Sequence, residues 1–180
     1  MTGMALPKDY TGEGCSLARA LEVVGERWTL LIVRDAFFGV RRFSDFAAHL
    51  DIPRAVLTHR LAALAESGVL AVVAGSHGHD EYTLTAKGLD LWPVVRSMLT
   101  WGDDYYSANG PRRLFCHADD DGDVAPDGRC AACGGQVPLD DIMVLPGPGW
   151  RPGKSDLVSV AMGAPHRLLS PIRSEQPAHA

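Results

Sequence analysis

Across residues 15–106 the apolar side chains recur at helical spacing in short segments closed by glycine or interrupted by proline. One pair of β-branched runs is set between the fourth segment and the last. That order leaves few folds open. Leu17, Leu21, Val24 and Trp28 follow an i, i+4, i+7 rule, which predicts a helix over 15–24 stopped by Gly25. Trp28, Leu31, Ile32, Phe37 and Phe38 predict a second helix over 26–38, before Gly39. Phe43, Phe46, Ala47 and Leu50 mark a third over 43–50. After the turn Asp51-Ile52, Pro53 suits the first turn of a fourth helix, where its missing N–H would be unbonded anyway. That helix is expected to reach Ser67 and end at Gly68.

Residues 69–74 and 81–84 then read as a hairpin around a Gly/His-rich tip. Thr85 can N-cap a long helix to about Tyr106, with a bend expected at Pro93. The fold class is α+β, mostly α: a winged helix–turn–helix domain followed by a small C-terminal cysteine module, zinc-ribbon-like in its spacing. We place an N-terminal arm at 1–14, the main domain at 15–106, the module at 107–145 and a Pro/Gly-rich tail at 146–180. The tail holds six of the twelve prolines and is expected to pack loosely, with a short strand at 155–162.

On a 3.6-residue wheel, Leu57, Leu61 and Leu64 share one side of the fourth helix, and Ala55, Thr58, His59 and Ala62 share the other. A core-packed helix with a small, polar outer face suits a DNA major groove. Thr58 and His59 would hydrogen-bond base edges and Ala55 would meet a thymine methyl. Arg41, Arg42, Arg54 and Arg60 would hold phosphates, with Ser44 donating to another. From residue 41 to residue 65, four Arg stand against Asp45 and Asp51.

The stretch Cys15-Ser-Leu-Ala-Arg-Ala-Leu-Glu-Val-Val-Gly-Glu-Arg-Trp28, continuing to Asp35, resembles the opening of the HxlR-type winged-helix regulators. So do Gly39-Val-Arg-Arg-Phe-Ser44, Leu57-Thr-His-Arg-Leu61, Gly68-Val-Leu, Glu81-Tyr-Thr-Leu-Thr-Ala-Lys-Gly88 and Trp101-Gly102. These blocks keep the family's order and spacing over about residues 15–106. The resemblance implies a dimeric, sequence-specific transcriptional regulator, a repressor or an activator, that binds double-stranded DNA at a pseudo-palindromic operator. It also implies a response to a small-molecule effector or to oxidants. Of the two, a repressor is expected. One departure is the wing tip, where the family offers Arg or Lys. Here His77 and His79 stand beside Asp80 and Glu81. Contact of the two histidines with phosphate is expected to strengthen as they gain charge below neutral pH.

The last helix carries two apolar stripes. Leu91, Val94, Met98, Trp101 and Tyr105 step by 3 and 4, and Trp92, Val95, Leu99 and Gly102 form the second stripe. One stripe can pack at home. The other, with Leu17 and Leu21, is the expected homodimer interface. Cys15 opens the first helix, where backbone N–H groups favour a thiolate, which makes it the candidate redox sensor. Trp28, Phe37, Phe38, Trp92 and Trp101 are the candidate lining of a ligand pocket.

Cys130-x-x-Cys133-Gly has the spacing of a zinc knuckle. The other arm offers Cys116 and His117, so the candidate Zn2+ ligands are Cys116, His117, Cys130 and Cys133. Adjacent ligands are awkward on one ion, and Asp119 or Asp120 could replace His117. The run 119–123 lacks the bidentate Glu of a calcium loop. An alternative reading makes the chain a metal or redox sensor, acting through Cys15 or this module, whose output is DNA binding.

The net charge of −5 argues against coating nucleic acid by bulk charge. Residues 15–106, however, hold 9 basic against 11 acidic groups, while 107–145 hold 3 against 7. The acidity belongs mostly to the module. The longest aliphatic run, 30–33, is too short to span a membrane, and no apolar leader opens the chain. A cytoplasmic protein is expected. No nucleophile elbow, phosphate loop or HExxH pattern suggests an enzyme.

Overall fold

The computed structural model describes residues 14–75, 78–151 and 153–173. Helices α1 (Ser16–Val24), α2 (Thr29–Phe37), α3 (Phe43–Leu50) and α4 (Arg54–Glu66) lead into strands β1 (Leu70–Ala74) and β2 (Asp80–Leu84). The strands pair antiparallel, with Leu70 opposite Leu84 and Ala74 opposite Asp80. Residues 41 and 42 lie along the free edge of β2, where the Tyr82 N–H donates to the Arg41 carbonyl. This is a winged helix–turn–helix of the α+β class.

Two glycines close helices in a way that requires their backbone freedom. After α4, Gly68 takes φ +72°, its N–H donates to the Ala65 carbonyl, and the Val69 N–H donates to that of Leu64. After α2, Gly39 takes φ +87° and its N–H and that of Val40 bond Ala36 and Asp35 in the same pattern. Both are Schellman endings, which a left-handed residue completes.

The long helix expected from Thr85 is two helices. Thr85 caps α5 (Ala86–Leu89), its hydroxyl accepting from the Gly88 N–H at 3.1 Å. A break at Asp90 and Leu91 follows, and α6 runs over Trp92–Tyr106. Pro93 therefore stands in the first turn of α6 instead of bending a continuous helix, because there its absent N–H leaves no bond unmade. Pro53 likewise is the extended residue before α4, one position earlier than expected.

Strands β3 (Arg113–His117), β4 (Ile142–Pro146) and β5 (His166–Arg167) form the second sheet, with β4 in the middle. The expected strand at 155–162 is instead a helix, α7 (Leu157–Ala161), capped by the Asp156 carboxylate on the Ser159 N–H. The tail is not loose over its described part. Val158, Met162 and Leu168 are buried, and the Leu169 and Ile172 N–H groups donate to the Phe37 and Gly39 carbonyls. A Cβ on Gly39 would overlap the Ser170 carbonyl oxygen, so glycine also lets the tail pass.

The buried side chains form one continuous cluster across both parts. Phe37 meets Trp92 with ring centres 5.0 Å apart, and Trp92 meets Phe115 of β3 at 5.6 Å. Each such pair adds about 0.5–1.5 kcal/mol beyond the area it buries. The Arg96 guanidinium lies 4.3 Å above the Phe115 ring and donates to the Val124 carbonyl, joining α6 to the module.

Candidate nucleic-acid interface

Helix α4 presents the two-sided wheel expected of it. Leu57, Leu61 and Leu64 are essentially inaccessible, while Arg54, Ala55, Thr58, His59 and Ala62 are exposed. The Thr58 hydroxyl donates to the Arg54 carbonyl at 3.0 Å, which leaves its lone pairs outward. The exposed side chains between Arg54 and Ala62 are small or polar, as entry into a major groove requires.

Beside it, an open groove of about 560 Å³ runs between the start of α3 and the wing. Arg42, Ser44, Arg54 and His79 line it, together with Arg173. Arg54 stacks over the Phe43 ring at 4.9 Å, which fixes its direction without neutralising it. Arg42 pairs with Glu81 of the wing at 3.4 Å. Arg41 is half-buried, its carbonyl engaged by the wing. Arg60 stands apart from the groove and pairs with Glu26 at 3.0 Å. His77 lies outside the described residues.

Arg173 is a groove residue that the sequence pattern does not single out. Its guanidinium holds the nearly buried Asp45 of α3, and this pairing raises its own pKa. A cation from the chain's far end thus joins the groove. Local pattern holds no signal for it, because the pairing forms only when the tail folds back along α2.

Helices α1 and α6 each expose apolar residues. Leu17, Leu21, Val94, Met98, Trp101 and Tyr105 are all accessible, with Tyr105 70% exposed. The Trp101 ring lies tilted against those of Tyr105 and Tyr106, with centres 5.4 and 5.3 Å apart. Leu91 is half-buried and packs toward the core instead. The second stripe faces home, with Trp92 and Val95 buried. Cys15 is the exposed N-cap residue of α1, with no side-chain cap hydrogen bond.

The five aromatic residues expected around a ligand pocket do not converge on one cavity within the protomer. Phe37 and Trp92 fill the core, Trp101 lies on the outer face and Trp28 sits under the Arg27 guanidinium. Only Phe38 borders a described cavity, between α2 and the C-terminal segment. Ring contacts in the core satisfy Phe37 and Trp92 more fully than a cavity wall would.

In the module, His117, Asp120, Cys130 and Cys133 bring one donor atom each within 4.8 Å of all the others, a cluster that could hold a metal ion. Asp120 Oδ1 lies 3.2 Å from Cys130 Sγ and 3.1 Å from His117 Nδ1, and Cys133 Sγ lies 3.7 Å from the same nitrogen. Cys116 is outside this cluster, contrary to the expected set. Neighbours in β3 point to opposite faces, and Cys116 Sγ faces Asp123 at 4.0 Å. Burial, with Asp123 second, pushes the Cys116 thiol pKa up. Asp120 takes its place, not that of His117. The Gly122 N–H, 2.9 Å away, and then the Cys130 thiol hold the Asp120 carboxylate down to about 2. The Ala132 N–H points at Cys130 Sγ at 3.3 Å, and a Cβ on Gly122 would overlap that sulfur.

A family model described as HxlR-like helix-turn-helix matches residues 23–110. The HTH-type transcriptional regulator Rv3095 of Mycobacterium tuberculosis is 42% identical over 142 residues, covering 77% of this chain and 90% of its own length. That span cannot fit before residue 110, so the likeness continues into the module. YdeP of Bacillus subtilis, also an HTH-type regulator, is 31% identical over 111 residues, covering 58% of this chain and 87% of its own. The crystal structure of PA1607, described as a transcription factor, superposes with a TM-score of 0.59 at 36% identity, covering 73% of this chain and 94% of that one. Among the described residues, no helix is long and apolar enough to cross a membrane.

Proposed function

Because the chain belongs to the HxlR-like helix-turn-helix family of transcriptional regulators, we propose that it acts as a homodimeric, sequence-specific repressor that lays α4 in a major groove. The observation that carries this reading is the division of α4 into an inaccessible leucine side and an outer side of Ala55, Thr58 and His59 flanked by Arg54. Thr58 and His59 read base edges. Arg41, Arg42, Arg54, Arg173 and Ser44 hold backbone, and Arg60 joins them on leaving Glu26. His79, with His77, follows the flanking strand. Repression follows from occupancy of the operator in the cytoplasm. A mobility shift on DNA upstream of the chain's own coding sequence tests this. Retardation lost in Thr58→Ala/His59→Ala but kept in a Val72→Thr control supports it, and equal retardation of unrelated DNA contradicts it.

The exposed apolar residues of α1 and α6 support self-association through Leu17, Leu21, Val94, Met98, Trp101 and Tyr105, with Leu91 half-buried beside them. A two-fold dimer presents two α4 helices to a pseudo-palindromic site.

The cysteine cluster, in a zinc-ribbon-like module, suits Zn2+ best. Two thiolates, an imidazole and a carboxylate form a tetrahedral set that hard oxygen-seeking cations disfavour. A tetrahedron with bonds of about 2.0–2.3 Å has edges of about 3.3–3.8 Å. The observed 3.1, 3.2 and 3.7 Å lie close to that. His117 would bind through Nδ1, with its Nε2 directed at Asp119, 3.8 Å away.

Oxidant sensing through Cys15 is a second reading. The exposed thiol adjoins Leu17 on the proposed dimer face, so an adduct there would bear on the dimer and through it on DNA.

A further inference from the structure

A cavity of about 240 Å³ lies between the reading head and the C-terminal segment, and four arginines line it. Arg34 comes from α2, Arg112 and Arg113 from the start of β3, and Arg151 from the connection to α7. Arg34 is bound to the buried Asp35 at 2.6 Å. No carboxylate oxygen among the described residues lies within 4.0 Å of a guanidinium nitrogen of Arg112, Arg113 or Arg151. Asp103 meets Arg112 at its backbone N–H, 3.2 Å away. The Arg113 guanidinium donates to the Met162 carbonyl and that of Arg151 to the Pro148 and Trp150 carbonyls. The acid near the rim, Asp156, is engaged by Ser159 at 2.6 Å and His49 at 3.6 Å.

A half-buried guanidinium without a counter-ion is unusual, because removing charge from water is costly unless an opposite charge meets it. Burial, reinforced by Arg34, brings the Arg113 pKa down to about 10. Phe38, Leu99, Trp150 and Met162 give the cavity apolar walls, and His49, Gly153 and Ser159 complete the lining. Guanidinium forks match a carboxylate in shape as well as charge, and an apolar wall beside them favours a ligand with an apolar body. The volume limits that body to one or two rings.

We propose that this cavity binds a small organic carboxylate with a one- or two-ring apolar body. Calling that ligand the effector rests on the regulator reading above. The site joins α2 and α3 to β3 and α7, so its occupant touches both the scaffold of the reading head and the module.

Calorimetry on the full chain without DNA tests the proposal separately from that reading. The probes are benzoate, 2-naphthoate and indole-3-acetate. 2-Naphthalenemethanol serves as the uncharged counterpart and sulfate as the anion without a body. At least one carboxylate is expected to bind with Kd below about 1 mM. Binding should weaken about tenfold or more in Arg113→Gln and in the exposed Arg112→Gln, whose melting temperature verifies the fold. Any of four results overturns the proposal: no carboxylate binding at about 1 mM, equal binding of the alcohol, equal binding of sulfate, or unchanged affinity in folded Arg112→Gln and Arg113→Gln.

Discussion

Arg173 clasps Asp45 across 128 residues of chain, with Nε to Oδ2 at 2.8 Å and Nη2 to Oδ1 at 2.7 Å. Asp45 is 6% exposed and sits at the start of α3, so the pairing ties the end of the described chain to the helix–turn–helix. Arg173→Ala strands that carboxylate. We expect a loss of about 1–3 kcal/mol in denaturant unfolding and weaker DNA binding, whereas Arg173→Lys recovers part of both. Unfolding curves of the three proteins check it.

Protein purified without chelator is expected to carry about one Zn2+ per protomer by elemental analysis. Cys133→Ser and Asp120→Ala should lose the metal and lower the melting temperature by about 5–10 °C. Cys116→Ser should keep it. Metal loss in Cys116→Ser with retention in Asp120→Ala would restore the ligand set that sequence alone suggests.

Trp101→Asp and Met98→Asp place charge in the middle of the exposed apolar strip. Sedimentation at micromolar concentration should show a dimer for the parent chain and a monomer for each variant, with secondary structure unchanged. Variants that remain dimeric would move the interface elsewhere.

Diamide treatment should reduce operator affinity of the parent chain but not of Cys15→Ser. Equal loss in both would assign any sensitivity to the module's three cysteines, Cys116, Cys130 and Cys133.

The reading head is legible in the sequence because helical period and burial agree there: Leu57, Leu61 and Leu64 recur at 4 and 3 and are all buried. The break before α6 is not, since apolar spacing continues through Asp90 and Leu91 and says nothing of where the backbone turns. The tail misleads through composition. Proline and glycine suggest looseness, but Val158, Met162 and Leu168 find their partners only in the folded core. The metal cluster is half legible. The Cys130-x-x-Cys133 spacing marks a knuckle, and the adjacency of Cys116 and His117 is awkward on one ion without saying which of them turns away. The role of Asp120 depends on the turn it forms with Gly122, a matter of loop geometry.

In the proposed dimer, two α4 helices read two successive major grooves from one face of DNA. Hydroxyl-radical footprinting of the full chain on its operator measures this directly. Two protected patches on one face are expected, about 34–36 Å apart, both weakened in Arg54→Ala, with the salt slope of affinity reduced by about 1 for each phosphate that Arg54 no longer neutralises. A single protected patch, or protection unchanged in Arg54→Ala and Thr58→Ala/His59→Ala, would contradict it.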